Sequence, residues 1–178
     1  MKYVKTLTLI TFTSLLTATA APSTNLLSST KSDIGLWAFS FSGKGNSTLN
    51  NTHTNNNSTV GVEFQIGYNT KLILPTEVGV RQSIGYSNSK VESWNLSTKV
   101  YSDWNVIRVG NLETDAGANF GVSYGSQVGD WSISPEIIGR LYLKKDVDLF
   151  CRIEYPYDLT YGSFQNNLAY NFGLRLRF

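Results

Sequence analysis

Between Leu168 and Phe178 the chain alternates without a break. Leu168, Tyr170, Phe172, Leu174, Leu176 and Phe178 fall on one parity, and Ala169, Asn171, Gly173, Arg175 and Arg177 on the other. A period of two marks a β-strand with one wholly apolar face. The second face carries two arginines and small residues. A strand between two dry layers could not hold them, whereas one between lipid and a polar lumen could.

The same alternation recurs upstream, and it predicts eight strands. Strand one runs from Asp33 to Ser42, with Trp37, Phe39 and Phe41 on its apolar face. Strand two, Thr59 to Tyr68, sets Val60, Val62, Phe64, Ile66 and Tyr68 against Gly61, Glu63, Gln65 and Gly67. In strand three Leu72, Leu74, Val78, Val80, Ile84 and Tyr86 oppose Pro75, Glu77, Gly79, Arg81, Ser83 and Gly85. Strand four, Trp94 to Val109, is the least regular. Its best parity puts Leu96, Val100, Trp104 and Val106 outward and Lys99 and Asp103 inward, with room for a bulge. Strand five turns Phe120, Val122 and Tyr124 out; strand six turns Trp131, Ile133, Ile137 and Leu141 out, with Glu136 and Arg140 inward. Strand seven opposes Val147, Leu149, Cys151, Ile153 and Tyr155 to Asp148, Phe150, Arg152 and Glu154.

The connections alternate in length. Polar excursions at Gly43 to Ser58, Ser87 to Ser93, Gly125 to Asp130 and Pro156 to Asn166 are separated by turns at Asn69-Thr70-Lys71, Gly110 to Asp115 and Lys144-Lys145-Asp146. With the last of these turns, antiparallel pairing sets Glu136 opposite Arg152 and Arg140 opposite Asp148, as lumen salt bridges. The Asn69 turn sets Glu63 beside Glu77, a like-charge pair that needs an arginine between its members or a proton on one of them.

Two lysines at Met1 to Lys5, an apolar run from Leu7 to Leu16 and the small residues Ala18-Thr19-Ala20 read as a signal peptide over residues 1–20. Removing it takes away Lys2 and Lys5, which leaves 13 basic residues (15 − 2) against 13 acidic. The sequence pI of 8.6 therefore comes from the leader, and no basic footprint for nucleic acid remains. A mean hydropathy of −0.16 suits alternating faces, which average out in any window. The single Cys151 excludes an internal disulfide.

The terminal strand with its final Phe178, the leader, the strand lengths close to the ~9 to 11 residues of a tilted membrane strand and the loop asymmetry together resemble the small bacterial outer-membrane β-barrels. These are the outer-membrane protein A transmembrane domain, protein X and opacity-protein kind. The resemblance covers the mature chain. It implies an all-β, eight-stranded antiparallel up-and-down transmembrane barrel over residues 33–178, a flexible periplasmic lead over 21–32, and a final Phe that serves as the assembly signal. It also implies a monomer in the bacterial outer membrane, surrounded by lipid.

An eight-stranded barrel has an interior only wide enough for side chains. Glu63, Glu77, Arg81, Glu136, Arg140, Asp148, Arg152 and Arg175 are thus expected to fill the lumen as a structural ion-pair network rather than line a pore. The sole histidine, His53, lies in an Asn-rich loop with no serine or acidic partner placed near it. No catalytic, cofactor or metal site is expected. The fourth loop holds Tyr157, Tyr161 and Phe164, the composition of a recognition surface, although an interfacial aromatic belt accounts for the same residues. The expected function is contact with a host or envelope ligand, or envelope structure. A narrow channel, a lipid-modifying enzyme and a soluble secreted barrel are the alternatives.

Overall fold

Each long strand of the chain pairs antiparallel with its neighbour, and the first pairs with the last. The structure, a computed structural model, describes residues 36–48, 59–71, 75–87, 93–125, 129–165 and 167–178. The expected leader, the lead to residue 32 and the loop with His53 lie outside them. The strands are β1 (Trp37–Thr48), β2 (Thr59–Lys71), β3 (Pro75–Ser87), β4 (Ser93–Val109), β5 (Leu112–Tyr124), β6 (Asp130–Lys144), β7 (Val147–Glu154), the two-residue β8 (Tyr157–Asp158) and β9 (Ser163–Phe164), and β10 (Asn167–Arg177). The ladder runs β1 to β7 and then β10, which returns to β1 through Ala38↔Arg177 to Thr48↔Asn167. Eight long strands therefore close a barrel and leave no edge unpaired.

Its faces are inverted relative to a soluble protein. Trp37, Phe41, Phe64, Val100, Ile137 and Phe172 lie bare on the outside, while Glu63, Arg81, Asp103, Asp148, Arg152 and Glu154 are almost fully buried within. Side chains alternate across a strand, so the period-two sequence pattern sorts itself into an apolar jacket and a charged interior. Aromatic pairs ring both ends of the jacket. Trp37 meets Tyr68 at 5.2 Å and Phe39 meets Phe178 at 5.3 Å at one end, and at the other Tyr86 meets Trp94 and Phe120 meets Trp131, both at 5.3 Å.

Several boundaries differ from the sequence reading. Lys44 and Asn46 belong to β1 rather than to a loop, because β1 still has β10 beside it to hydrogen-bond as far as Thr48. Asn69-Thr70-Lys71 is not a turn: Asn69 donates to the Leu36 carbonyl through both its backbone N–H and Nδ2, and β2 pairs with β3 through Lys71↔Pro75. This shifts the register, so Glu63 lies opposite Ser83 and Glu77 opposite Asn69, and the two carboxylates are not neighbours. The third boundary turn is Gly110-Asn111 alone, with Gly110 at φ 58°. A two-residue hairpin loop requires such a left-handed residue, and Leu112 to Asp115 become strand.

A bulge after Asn105 shifts the β4–β5 register so that Val106 and Ile107 both face out, and Arg108 is re-aimed inward. The parity expected for the rest of β4 holds. The β6–β7 turn falls at Lys145-Asp146, and with an irregularity of one residue between Tyr142 and Lys144 the register ends two residues away from the expected one. Glu136 therefore sits opposite Glu154 and Arg140 opposite Phe150, rather than opposite Arg152 and Asp148. The stretch read as an open fourth loop is a hairpin. Pro156 interrupts β7, yet β8 resumes pairing with β6 in the register β7 had left, and β9 folds back on β8.

Candidate functional site

Two features carry polar chemistry or exposed contact area, namely the lumen network and the β8–β9 hairpin. In the lumen, Arg81 reaches across the barrel from β3. Its Nη1 donates to Glu136 Oε2 at 2.6 Å, Nη2 to Asp103 Oδ2 at 3.0 Å and Nε to Gln65 Oε1 at 3.0 Å. The guanidinium lies 3.9 Å from the centre of the Tyr101 ring, and the Tyr101 hydroxyl donates to Glu77 at 2.7 Å. Planar forks that satisfy several acceptors at once are the arrangement arginine is suited to.

Arg152, from β7, holds Glu63 and donates through Nε to Glu154 at 2.9 Å, with Glu136 at 3.6 Å. The expected Glu136–Arg152 bridge thus forms as a diagonal contact rather than a direct cross-strand pair. Arg175 holds Glu77 and pairs with Asp148 at 3.0 Å. The expected Arg140–Asp148 pairing gives way to another set, because the shifted register points Arg140 at Asp115, at Glu113 (3.2 Å) and at Asp103 (3.5 Å). Glu63 and Glu77 are not adjacent and are held by different arginines, Arg152 and Arg175.

Glu113, Asp115, Tyr101 and Tyr142 complete this interior and were missed by sequence reasoning. The two acids alternate with Leu112 and Thr114, a legible pattern once the turn shrinks to two residues. Tyr101 lies opposite Gly79, which lies opposite Gly67. A side chain at either glycine would collide with the Tyr101 ring or hydroxyl, so an inward aromatic facing two registered glycines was the available signal. At the turn end Tyr142 is flanked by the guanidinium groups of Arg108 and Arg177, at 4.3 and 4.4 Å, and donates to Glu113 at 2.7 Å.

At the opposite end the hairpin is fastened to β6. Leu159 N–H donates to the Trp131 carbonyl at 2.8 Å, and Trp131 N–H to Thr160 Oγ1 at 3.1 Å. Asp158 Oδ1 accepts from the N–H groups of Thr160 (2.8 Å) and Tyr161 (3.1 Å), and Gly162 turns the chain at φ 67°. Phe164 stacks on Tyr155 at 4.8 Å and meets Tyr157 edge-on at 4.9 Å. Of the three aromatic residues singled out from the sequence, Tyr157 and Phe164 therefore come together as the hairpin's support. Tyr161 stands apart at the tip, 71% exposed, beside Leu159 at 45%. Among the described residues no group of His, Cys, Asp and Glu side chains is placed to hold a metal ion.

No family model and no curated protein matches this sequence. Among solved structures, the chain is similar to the crystal structure of Neisserial surface protein A, at 12% identity and a TM-score of 0.52, over 80% of this chain and 96% of that one. A de novo designed transmembrane β-barrel matches at 15% identity and a TM-score of 0.44, over 82% and 97%. A loop-deletion mutant of OmpT, an outer membrane protein of Vibrio cholerae, matches at 9% identity and a TM-score of 0.31, over 79% of this chain and 49% of that one. The chain has the fold of an outer-membrane β-barrel.

Proposed function

We propose that this protein is a monomer of a bacterial outer membrane that works by surface contact, with the β8–β9 hairpin turned outward as its binding element. One observation carries the reading. Leu159 and Tyr161 are exposed on a tip whose backbone is already held by Asp158 and by Trp131. Asp158 pairs with Ser132, one residue short of Trp131 in the aromatic belt, and Leu159 and Thr160 bond Trp131 itself, so the turn of residues 159–162 sits at the outer rim of the belt. A preorganised aromatic tip loses little entropy on binding, and interface energy concentrates in such residues. The lumen offers the competing activities little, because most of its charges are paired with one another across an interior only wide enough for side chains.

The partner is a host or envelope surface ligand. Bacteria that display the Leu159→Ala/Tyr161→Ala double variant are expected to attach to host epithelial monolayers at least tenfold less than wild type, at equal surface density. Unchanged attachment, or wild-type protein recovered in the soluble periplasm on fractionation, would overturn the proposal.

A further inference from the structure

At the hairpin end the lumen opens into a cup of about 130 Å³. It is a dead end. Beneath it Lys99 Nζ is bound to Glu154 at 2.7 Å, and Asn119 braces both Glu154 and Glu136. Lys44, Asn95, Ser123, Ser132, Gln165 and Asn167 are among the lining residues, and among the described residues no carboxylate lines the cup.

Two unspent polar groups set its chemistry. Lys44 points inward from β1, on the parity of Ser40 and Ser42, and among the described residues its Nζ has a single hydrogen bond, to Ser83 Oγ at 3.4 Å. Among the described residues no carboxylate lies within ion-pair distance of it, whereas Arg81, Lys99, Arg140, Arg152 and Arg175 each have one within 3.2 Å. A partly enclosed ammonium with donors to spare favours an anion. Independently, Asn167 Oδ1 is buried in the same wall with no hydrogen-bond partner among the described residues, an acceptor suited to a hydroxyl or N–H donor. The volume is close to the ~150 Å³ of cavities known to take up a six-membered ring.

We propose that this cup binds an anionic saccharide unit, its acid group against Lys44 and a ring hydroxyl on Asn167 Oδ1. The site is separate from the hairpin tip and does not depend on the contact function proposed above.

The test is calorimetric titration of the folded, detergent-solubilised protein with four probes: glucuronate, glucose 6-phosphate, glucose and inorganic phosphate. At least one acid sugar should bind ten times or more tightly than both glucose and phosphate, and the tighter of the two identifies the acid group. Lys44→Gln should weaken that binding at least tenfold, Asn167→Ala should bring it towards the affinity for bare phosphate, and Lys145→Gln, on an exposed turn at the other end, should leave it unchanged. All three variants should keep the heat-modifiable gel mobility of the folded barrel. Absence of binding, equal affinity for glucose or phosphate, or a folded Lys44→Gln protein that binds as wild type would overturn the proposal.

Discussion

Arg152 shows what a single side chain does in this interior. It is 1% exposed and satisfies Glu63, Glu154 and, at longer range, Glu136. Burying those carboxylates without it would cost far more than any one hydrogen bond returns. Arg152→Met is therefore expected to lower stability by about 3 to 5 kcal/mol, measured by urea unfolding in lipid vesicles with tryptophan fluorescence as the readout. Combining it with Glu63→Gln should recover part of the loss, because one of the stranded charges is then removed. The inward positions of Glu63, Arg81, Glu136, Arg152 and Arg175 were legible in the sequence, since parity alone fixes which face a strand residue takes. Their partners were not legible. An arginine's reach of several ångströms spans two or three strands, so Arg81 finds Glu136 across the lumen where pairwise strand logic looks only next door.

At the scale of elements, strand parity survived except past the bulge in β4, but turn positions drifted by up to three residues. Asn69-Thr70-Lys71 has turn composition and yet pairs, because the Leu36 carbonyl is available to Asn69; composition reports tolerance for a turn, and the ladder decides where it falls. The bulge at Val106 shows the value of one surplus residue. Were the intact sequence to alternate through this point unbulged, Arg108 would face lipid and Ile107 would take its place beside Tyr142. Deleting Val106 removes only the surplus residue, so each position on either side keeps its face. Deleting Val100 in the same strand instead flips everything beyond it to the wrong side. The Val106 deletion is expected to fold in detergent with heat-modifiable mobility, and the Val100 deletion to remain unfolded. Equal behaviour of the two would contradict the register described here.

For the whole molecule, the ion pairs that span the lumen predict electrical silence. Purified protein in planar bilayers should show no steady, selective conductance, since the Arg81–Glu136 and Lys99–Glu154 bridges stand across the lumen; a stable open level would refute this reading. The final consequence comes from the seam between β1 and β10. Ala38 and Arg177 are partners although almost the whole barrel sequence separates them, so this ladder is the most costly in loop closure and the natural last step of folding. Until it zips, both rims of a curled ribbon stay open while a large oily exterior seeks cover, a state prone to sticking to copies of itself. Productive folding then depends on keeping each chain apart from its siblings until the two distant rims meet inside the bilayer.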